Sequence, residues 1–184
     1  MNRRRFLTLL SVAGVAAGGG AYLSTAESQP SAESQPSRPL TVEAAVATID
    51  TLIASQLTST GDWQLTKMFR HCAQSIQLSM QGGYPEHKSD SFKRLVGHNA
   101  LMIFESMGAM SHALNEPIPG AAHISSQGSV EEALQTLKTT YKTFAAYQGV
   151  LLPHFAYGEL TKREYEVAHV LHLYNHLDEV VIKA

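Results

Sequence analysis

The sequence predicts an all-α protein, a bundle of four long helices with additional short helices or long connections. Apolar residues recur at helical spacing in several separate stretches. No stretch shows a sustained alternation of apolar and polar residues, so we expect no β-strands. Ser/Thr-x-x-Glu patterns mark helix beginnings, and clusters of glycine, proline and small polar residues mark helix ends. Several amphipathic helices around one core are typical of a helical bundle.

The composition fits one globular domain and excludes some classes of partner. The chain has 184 residues, of which 44% are hydrophobic and 16% are charged, enough for one core but short for two. Its formal net charge of −2 gives no basic surface for nucleic acid, so we expect no such partner. The single cysteine, Cys72, excludes an intramolecular disulfide, and its position on an apolar helix face indicates a core residue. Nine histidines are a first indication of metal binding.

The N-terminus has the pattern of an export signal. Three arginines at 3–5 precede Phe6-Leu7, which is the order of a twin-arginine signal, and an uncharged run follows to Ala26. We therefore predict a twin-arginine signal peptide at 1–26, the twin-arginine export machinery as a partner and a periplasmic location. Because about 20 apolar residues can span a bilayer, an uncleaved membrane anchor is the alternative for this segment.

The next segment has the composition of a linker. The sequence Ala-Glu-Ser-Gln-Pro-Ser occurs twice within 26–37, and such a polar, proline-containing repeat has nothing to bury. We predict a flexible Ser/Gln/Pro/Glu spacer at 27–39 and a helical bundle domain at 40–184.

Three helices are predicted in the first part of the domain. A Thr-Ser-Thr-Gly break separates the first from the second, and a Gly-Gly-Tyr-Pro segment ends the second. Asp62 is a candidate cap for the second helix, because a carboxylate can accept hydrogen bonds from the first free amides. The apolar periodicity places these helices at about 41–57, 63–80 and 89–110.

Two capping boxes predict the beginnings of the last two helices. Ser129 and Glu132 stand three residues apart, as do Thr161 and Glu164. In each pair, the hydroxyl is expected to accept a hydrogen bond from the later amide while the glutamate reaches back to the earlier one. A long connection containing Pro-Ile-Pro-Gly precedes the first box. The predicted helices extend over about 129–147 and 161–181.

The last predicted helix carries a stripe of histidines. His169, His172 and His176 stand at positions i, i+3 and i+7, which face the same side of an α-helix. His172 and His176 are one turn apart, close enough to bind one metal ion, but two ligands make a weak site. His71 lies beside the apolar face of the second predicted helix, so packing of the two apolar faces can bring it to this pair. A surface or hydrogen-bonded position is the alternative for each histidine.

The segment at 63–71, Trp-Gln-Leu-Thr-Lys-Met-Phe-Arg-His, resembles the corresponding segment of the DinB/YfiT-like superfamily. There, a histidine of the second helix and an H-x-x-x-H pair of the last helix bind a metal. The resemblance implies His71, His172 and His176 as metal ligands and a DinB-like four-helix bundle over 40–184. Further segments are similar to one uncharacterised branch of that superfamily: Gly83-Tyr84-Pro85, Phe92-Lys93 with Gly97, Phe104, 117–121, and Pro153-His154 with Gly158.

The chain departs from that branch at three positions. It has Asn175 where the branch usually has histidine, Glu179 where it has glutamine, and Tyr165 where it has tryptophan. None of these changes removes a ligand, and Glu179 adds a negative charge near the predicted site. The branch has no established reaction. Other relatives in the superfamily include thiol-dependent transferases and isomerases, which suggests thiol chemistry by analogy alone.

Three imidazoles predict one divalent transition metal, Zn²⁺, Ni²⁺ or Fe²⁺, with positions open for water or substrate. Such a site permits a metal-dependent enzyme, of transferase or hydrolase type, that acts on a small molecule. The candidates for a general base are His169, Glu179 and His154, with hydrogen bonding or a surface position as the alternative for each. Because free imidazole protonates at a pKa of about 6.5, metal affinity is expected to fall below about pH 6.

A non-catalytic exported bundle is the alternative function. Its histidines would be structural, and it would bind a partner, another ligand or haem. The sequence has no C-x-x-C-H, so covalent haem is excluded, whereas a b-type haem between helices stays open. It also has no G-x-S-x-G and no phosphate-binding glycine loop. A homodimer is a candidate assembly.

Overall fold

Five α-helices and a two-stranded sheet form the described part of the chain, which in this computed structural model comprises residues 38–85 and 91–183, with 91–95 as backbone only. The largely all-α prediction is confirmed, whereas the finer DinB-like four-helix arrangement stays a prediction. The predicted signal peptide at 1–26 and most of the predicted spacer, 27–37, lie outside the described residues. In chain order the elements are α1 (Val42–Ile53), β1 (Leu57–Ser59), α2 (Leu65–Met80), α3 (Ser91–Met107), α4 (Val130–Ala146), α5 (Lys162–Leu177) and β2 (Val180–Ile182).

The main hydrophobic core lies between α1, α2, α4 and α5. α2 packs along α4, α4 also packs against α1, and α5 contacts α1, α2 and α3. A smaller apolar cluster joins α3 to α5, so α5 is buried on opposite sides. For this reason its histidines lie inside the protein, whereas the sequence placed them at the flank of an apolar face. Fully buried side chains of the main core include Ile49, Met68, Phe69, Leu137, Tyr141 and Leu173.

A short antiparallel sheet joins two distant parts of the chain. Leu57 pairs with Ile182, and Ser59 pairs with Val180. The expectation of no strands is therefore wrong here, and the first and last helices end earlier than predicted, at Ile53 and Leu177. Three-residue strands are too short to show alternation, and their hydrogen bonds come from a partner more than 100 residues away, which local periodicity cannot reveal.

The predicted helix caps differ in how completely they form. Thr161 and Glu164 make the full capping box, with the Thr161 amide donating to Glu164 Oε2 at 2.7 Å. Ser129 accepts a hydrogen bond from the Glu132 amide at 3.3 Å, as predicted. Asp62 does not cap α2: the helix begins after Gln64 without a side-chain cap. The Asp62 carboxylate instead accepts a hydrogen bond from Asn115 Nδ2 at 2.8 Å, which fastens the α3–α4 connection beside the start of α2.

None of the described helices combines the length and the apolar character that a crossing of the membrane requires.

The connection between α3 and α4, residues 108–129, is held against α2 by side chains of that helix. Arg70 Nη1 donates to the carbonyl oxygens of Ser125 and Gln127 at 3.0 and 2.7 Å. Gln74 Nε2 donates to the Ala122 carbonyl oxygen at 2.9 Å. This irregular segment is thus fixed over the N-terminal half of α2, where the histidine of that helix lies.

Candidate metal centre

The sheet explains how the predicted histidines meet. β1 precedes α2 and β2 follows α5, so their pairing places the beginning of α2 beside the end of α5. His71 in the second turn of α2 therefore faces the last turns of α5. The Nε2 atoms of His71 and His172 are 3.1 Å apart, and those of His172 and His176 are 3.2 Å apart. One ligand nitrogen from each residue lies within 4.8 Å of the other two. We call these three residues the histidine triad.

The separations within the histidine triad suit a shared metal ion. Zinc–nitrogen bonds are about 2.0–2.1 Å long. Two such nitrogens lie about 3.4 Å apart at a tetrahedral angle and about 3 Å apart at a right angle. The observed 3.1 and 3.2 Å fall between these values. Three neutral imidazoles are also a donor set that borderline divalent ions favour, so the residues present fit such an ion.

Two nitrogen atoms of the histidine triad are buried without a hydrogen-bond partner in the described part of the chain. They are Nδ1 of His71 and Nδ1 of His176. A buried polar atom without a partner costs about 1–3 kcal/mol. Unpartnered buried polar atoms are rare in a protein core, and where they occur they often mark a functional site.

Burial keeps the histidine triad neutral. It lowers the pKa of His71 to about 4, with further lowering by nearby His112 and Lys67. It also lowers the pKa of His176 to about 3, and nearby His71 and His112 lower it further. Burial holds the pKa of His172 well below its usual value as well. Neutral imidazole is the form that binds metal, so at neutral pH no proton has to leave before an ion binds.

Trp63 covers one side of the histidine triad. Its ring is edge-on to His71 at 5.1 Å and stacks on His176 at 6.2 Å between ring centroids. Lys67 Nζ lies 4.0 Å from the centroid of the same indole, a cation–π contact that holds the ring in place. Trp63 is 7% exposed and is the only tryptophan of the chain. It therefore excludes water from this side and gives the site a built-in fluorescent reporter.

A cavity of about 230 Å³ adjoins the histidine triad at His71 and His172. Most of its wall is apolar or aromatic, with a few polar groups among them. Ligand pockets of this character bind small molecules, and this volume is below the range of about 300–1,000 Å³ usual for drug-sized ligands. Other wall residues are Met110, His112, Ile118, His154, Phe155, Tyr157 and His169.

The structure places His169, a candidate general base, in the core beside the cavity. Its Nε2 is 3.2 Å from Ser79 Oγ, and that hydroxyl donates its proton to the Ile76 carbonyl oxygen at 2.7 Å. Nε2 of His169 must therefore carry a proton and act as the donor. Burial lowers the pKa of His169 to about 3. An imidazole so weakly basic is a poor proton acceptor at neutral pH, so this geometry favours the hydrogen-bonding role over the general base.

His154, the second candidate base, also lines the cavity. Its Nδ1 accepts hydrogen bonds from the amides of Ala156 and Tyr157 at 3.1 and 3.2 Å. The neutral ring therefore carries its proton on Nε2, which makes it a hydrogen-bond donor and not a base. Its backbone pairs with Gly158 in both directions, and its ring stacks on Tyr157 at 4.6 Å. These contacts fix its orientation.

Glu179, the third candidate base, follows α5 directly, and its amide donates to the carbonyl oxygen of His176 at 3.2 Å. Its carboxylate occupies the space beside Gly61, where a Cβ on that glycine would overlap it. Its carbonyl oxygen accepts a hydrogen bond from the Thr60 amide at 2.8 Å. Among the described residues, Glu179 does not belong to the group whose ligand atoms can hold one ion. Cys72 is 1% exposed, and burial raises the pKa of its thiol far above the usual range, as expected of a core residue.

His112 is a site residue that the sequence did not point to. Its ring centroid is 5.0 Å from that of His172 and 5.2 Å from that of His176. It lies in the irregular 108–129 connection, where helical spacing gives no information about neighbours in space. The high histidine count was the one available signal, and it does not say which histidine joins the cluster.

The described part of the chain is thus a largely helical protein with a buried histidine cluster beside a small apolar cavity. The chain belongs to the DUF1569 family, whose description is "Protein of unknown function (DUF1569)" and whose family profile matches residues 38–183. No curated protein and no solved structure matches the chain.

Proposed function

We propose that this is an exported, DinB-like protein that binds one divalent transition metal through the histidine triad and acts as a metal-dependent enzyme on a small molecule. The single observation that carries the proposal is the convergence of three Nε2 atoms from two helices, at 3.1 and 3.2 Å between neighbours. When bound, a divalent ion in such a site supplies Lewis-acid polarisation or a water of lowered pKa.

The cavity supports the enzymatic part of the proposal, because it meets the histidine triad at His71 and His172. Phe155 and Tyr157 provide aromatic surface that binds an apolar group of a substrate. Burial raises the pKa of Tyr157 to about 12, so its hydroxyl stays protonated. His154 bears its ring proton on Nε2, so both groups are neutral polar partners in the wall of the cavity. The volume favours a molecule far smaller than haem.

Export and the DinB-like relationship are supported by the sequence. The arginines at 3–5 followed by Phe-Leu have the pattern of a twin-arginine signal. That route carries folded proteins, which suits a domain that takes up its metal before export. The DinB-like relationship is supported by the match of the histidine positions, one on α2 and an H-x-x-x-H pair on the last helix.

Metal content of the purified full chain tests the proposal. After reconstitution with Zn²⁺, Ni²⁺ or Fe²⁺ and removal of excess ion, we expect about one equivalent per chain in the wild type. His172→Ala removes the nitrogen nearest to both other ligands and should reduce the content to a small fraction. His123→Ala, an exposed histidine of the 108–129 connection, is the matched control and should bind like the wild type. Substoichiometric metal in the wild type, or equal binding by His172→Ala, would overturn the proposal.

A further inference from the structure

We infer that His112 is a fourth imidazole ligand of the metal ion, and this inference rests on the metal site proposed above. Its ring lies 5.0 and 5.2 Å from the rings of His172 and His176. The rings within the histidine triad are separated by 4.9–5.1 Å. The ring of His112 is therefore as close to two members of the histidine triad as the triad rings are to one another.

The tautomer of His112 suits metal binding. Its Nδ1 is 2.8 Å from the carbonyl oxygen of Ala113. A carbonyl oxygen can only accept, so Nδ1 carries the proton and Nε2 keeps its lone pair. Metal-bound histidines commonly donate the proton of the other ring nitrogen to a backbone carbonyl in this way. Nε2 is also the atom through which the histidine triad converges.

The connection that carries His112 is held near the site from two sides. Asn115 Nδ2 donates to Asp62 at 2.8 Å, at the beginning of α2. Ile118 is 4% exposed and packs in the main core. These contacts lie three and six residues after His112 and keep its backbone beside the histidine triad.

His112 differs from the histidine triad in exposure and in distance. The triad is on helices and largely buried, whereas His112 is exposed to solvent. The nitrogen atoms within 4.8 Å of one another are those of the histidine triad, so His112 has to move inward to bind. An ion held by four imidazoles has no open position in tetrahedral geometry. Because His112 also lines the cavity, it is the imidazole that a substrate entering from the cavity would have to displace to reach a bound ion.

Cobalt spectroscopy tests the inference on the full chain. Co²⁺ absorbs visible light more strongly in four-coordinate than in six-coordinate sites, and its binding can be followed in parallel by quenching of Trp63 fluorescence. We expect His112→Ala to weaken Co²⁺ binding at least about tenfold and to change the visible spectrum, because one nitrogen donor is lost. Free imidazole added to this variant should restore the wild-type spectrum. His123→Ala should match the wild type in both respects.

The outcomes separate the two proposals. If His112→Ala has the affinity and the spectrum of His123→Ala while the wild type binds Co²⁺, the fourth ligand is refuted and the three-histidine site stands. If the wild type binds no Co²⁺, or if His172→Ala binds it equally well, the metal site itself is refuted and the fourth ligand with it. Far-UV circular dichroism of each variant shows that the fold is retained, which is expected because His112 is exposed.

Discussion

The metal-free protein should lose stability steeply when the pH falls from 7 to 5.5. His71, His169 and His176 are each no more than 3% exposed, and burial lowers their pKa to about 4, 3 and 3. In the unfolded chain the pKa of a histidine is about 6.5. Over this pH range the unfolded state therefore takes up protons that the folded state does not, and acidification favours unfolding. The stability is fully present above the unfolded pKa and is lost as the pH falls towards the folded values.

The size of the effect follows from the same difference in pKa. An imidazole that stays neutral in the folded state and titrates at about 6.5 when unfolded costs about 1.2 kcal/mol between pH 7 and pH 5.5. Three such residues together cost about 4 kcal/mol. Domains are commonly stable by about 5–15 kcal/mol, so this loss is a large share of the total. The pH window lies above the range in which most carboxyl groups titrate, which isolates the histidine contribution.

Urea unfolding followed by circular dichroism, with chelator present at both pH values, measures this loss. His169→Gln removes one titrating ring while keeping a donor for Ser79, and it should reduce the pH-dependent loss by about 1.2 kcal/mol. His123→Gln removes an exposed histidine and should leave the loss unchanged. A free energy of unfolding that is equal at pH 7 and pH 5.5 would refute the argument, because it would mean that the buried histidines do not differ in protonation between the folded and unfolded states.

Three further predictions concern metal affinity, packing and export. The lowered pKa values keep the histidine triad neutral in acid, so the folded His112→Ala variant, which retains only the triad, should hold its metal affinity nearly constant down to about pH 5. Isothermal titration at pH 7 and 5 measures this, and a tenfold loss at pH 5 would contradict it. Gly97→Ala should lower the free energy of unfolding in urea by about 1–3 kcal/mol, because the added Cβ would overlap the Ala156 carbonyl oxygen. An unchanged free energy of unfolding would show that α3 does not pack against the backbone at Ala156 as described. Replacing Arg3 and Arg4 by lysine should retain the protein in the cytoplasm on cell fractionation, and unchanged export would argue against the twin-arginine route.

Local patterns in the sequence predicted much of the helical structure. The Thr161–Glu164 capping box acts within four residues, so its partners are adjacent in the sequence, and the structure contains both of its hydrogen bonds. His172 and His176 are one turn apart in any α-helix, so their proximity needed no tertiary information. Asp62 was misjudged as a cap, because its carboxylate binds Asn115, 53 positions away. Residues 57–59 and 180–182 were misjudged as helix or loop for the same kind of reason.

Some residues of the candidate site could be predicted from the sequence, and others only from the structure. The sequence and the family resemblance singled out His71, His172 and His176, and the structure brings these three together; their role as ligands stays a proposal. The sequence could not single out His112, which reaches the cluster through contacts of an irregular connection. The sequence also could not decide between base and donor for His169 and His154. That choice depends on hydrogen bonds that only the folded structure gives, to Ser79 for His169 and from the amides of a local turn for His154.

The sequence by itself determined the approximate positions of the helices, where two of them begin, and that two histidines lie on one helix face. These properties depend on backbone geometry over a few residues. The tertiary structure decided the pairing of β1 with β2, the meeting of α2 with the end of α5, and the neutral state of the buried imidazoles. The reason is that hydrogen-bond partners, burial and protonation are set by residues distant in the chain, and only the folded protein brings those residues together.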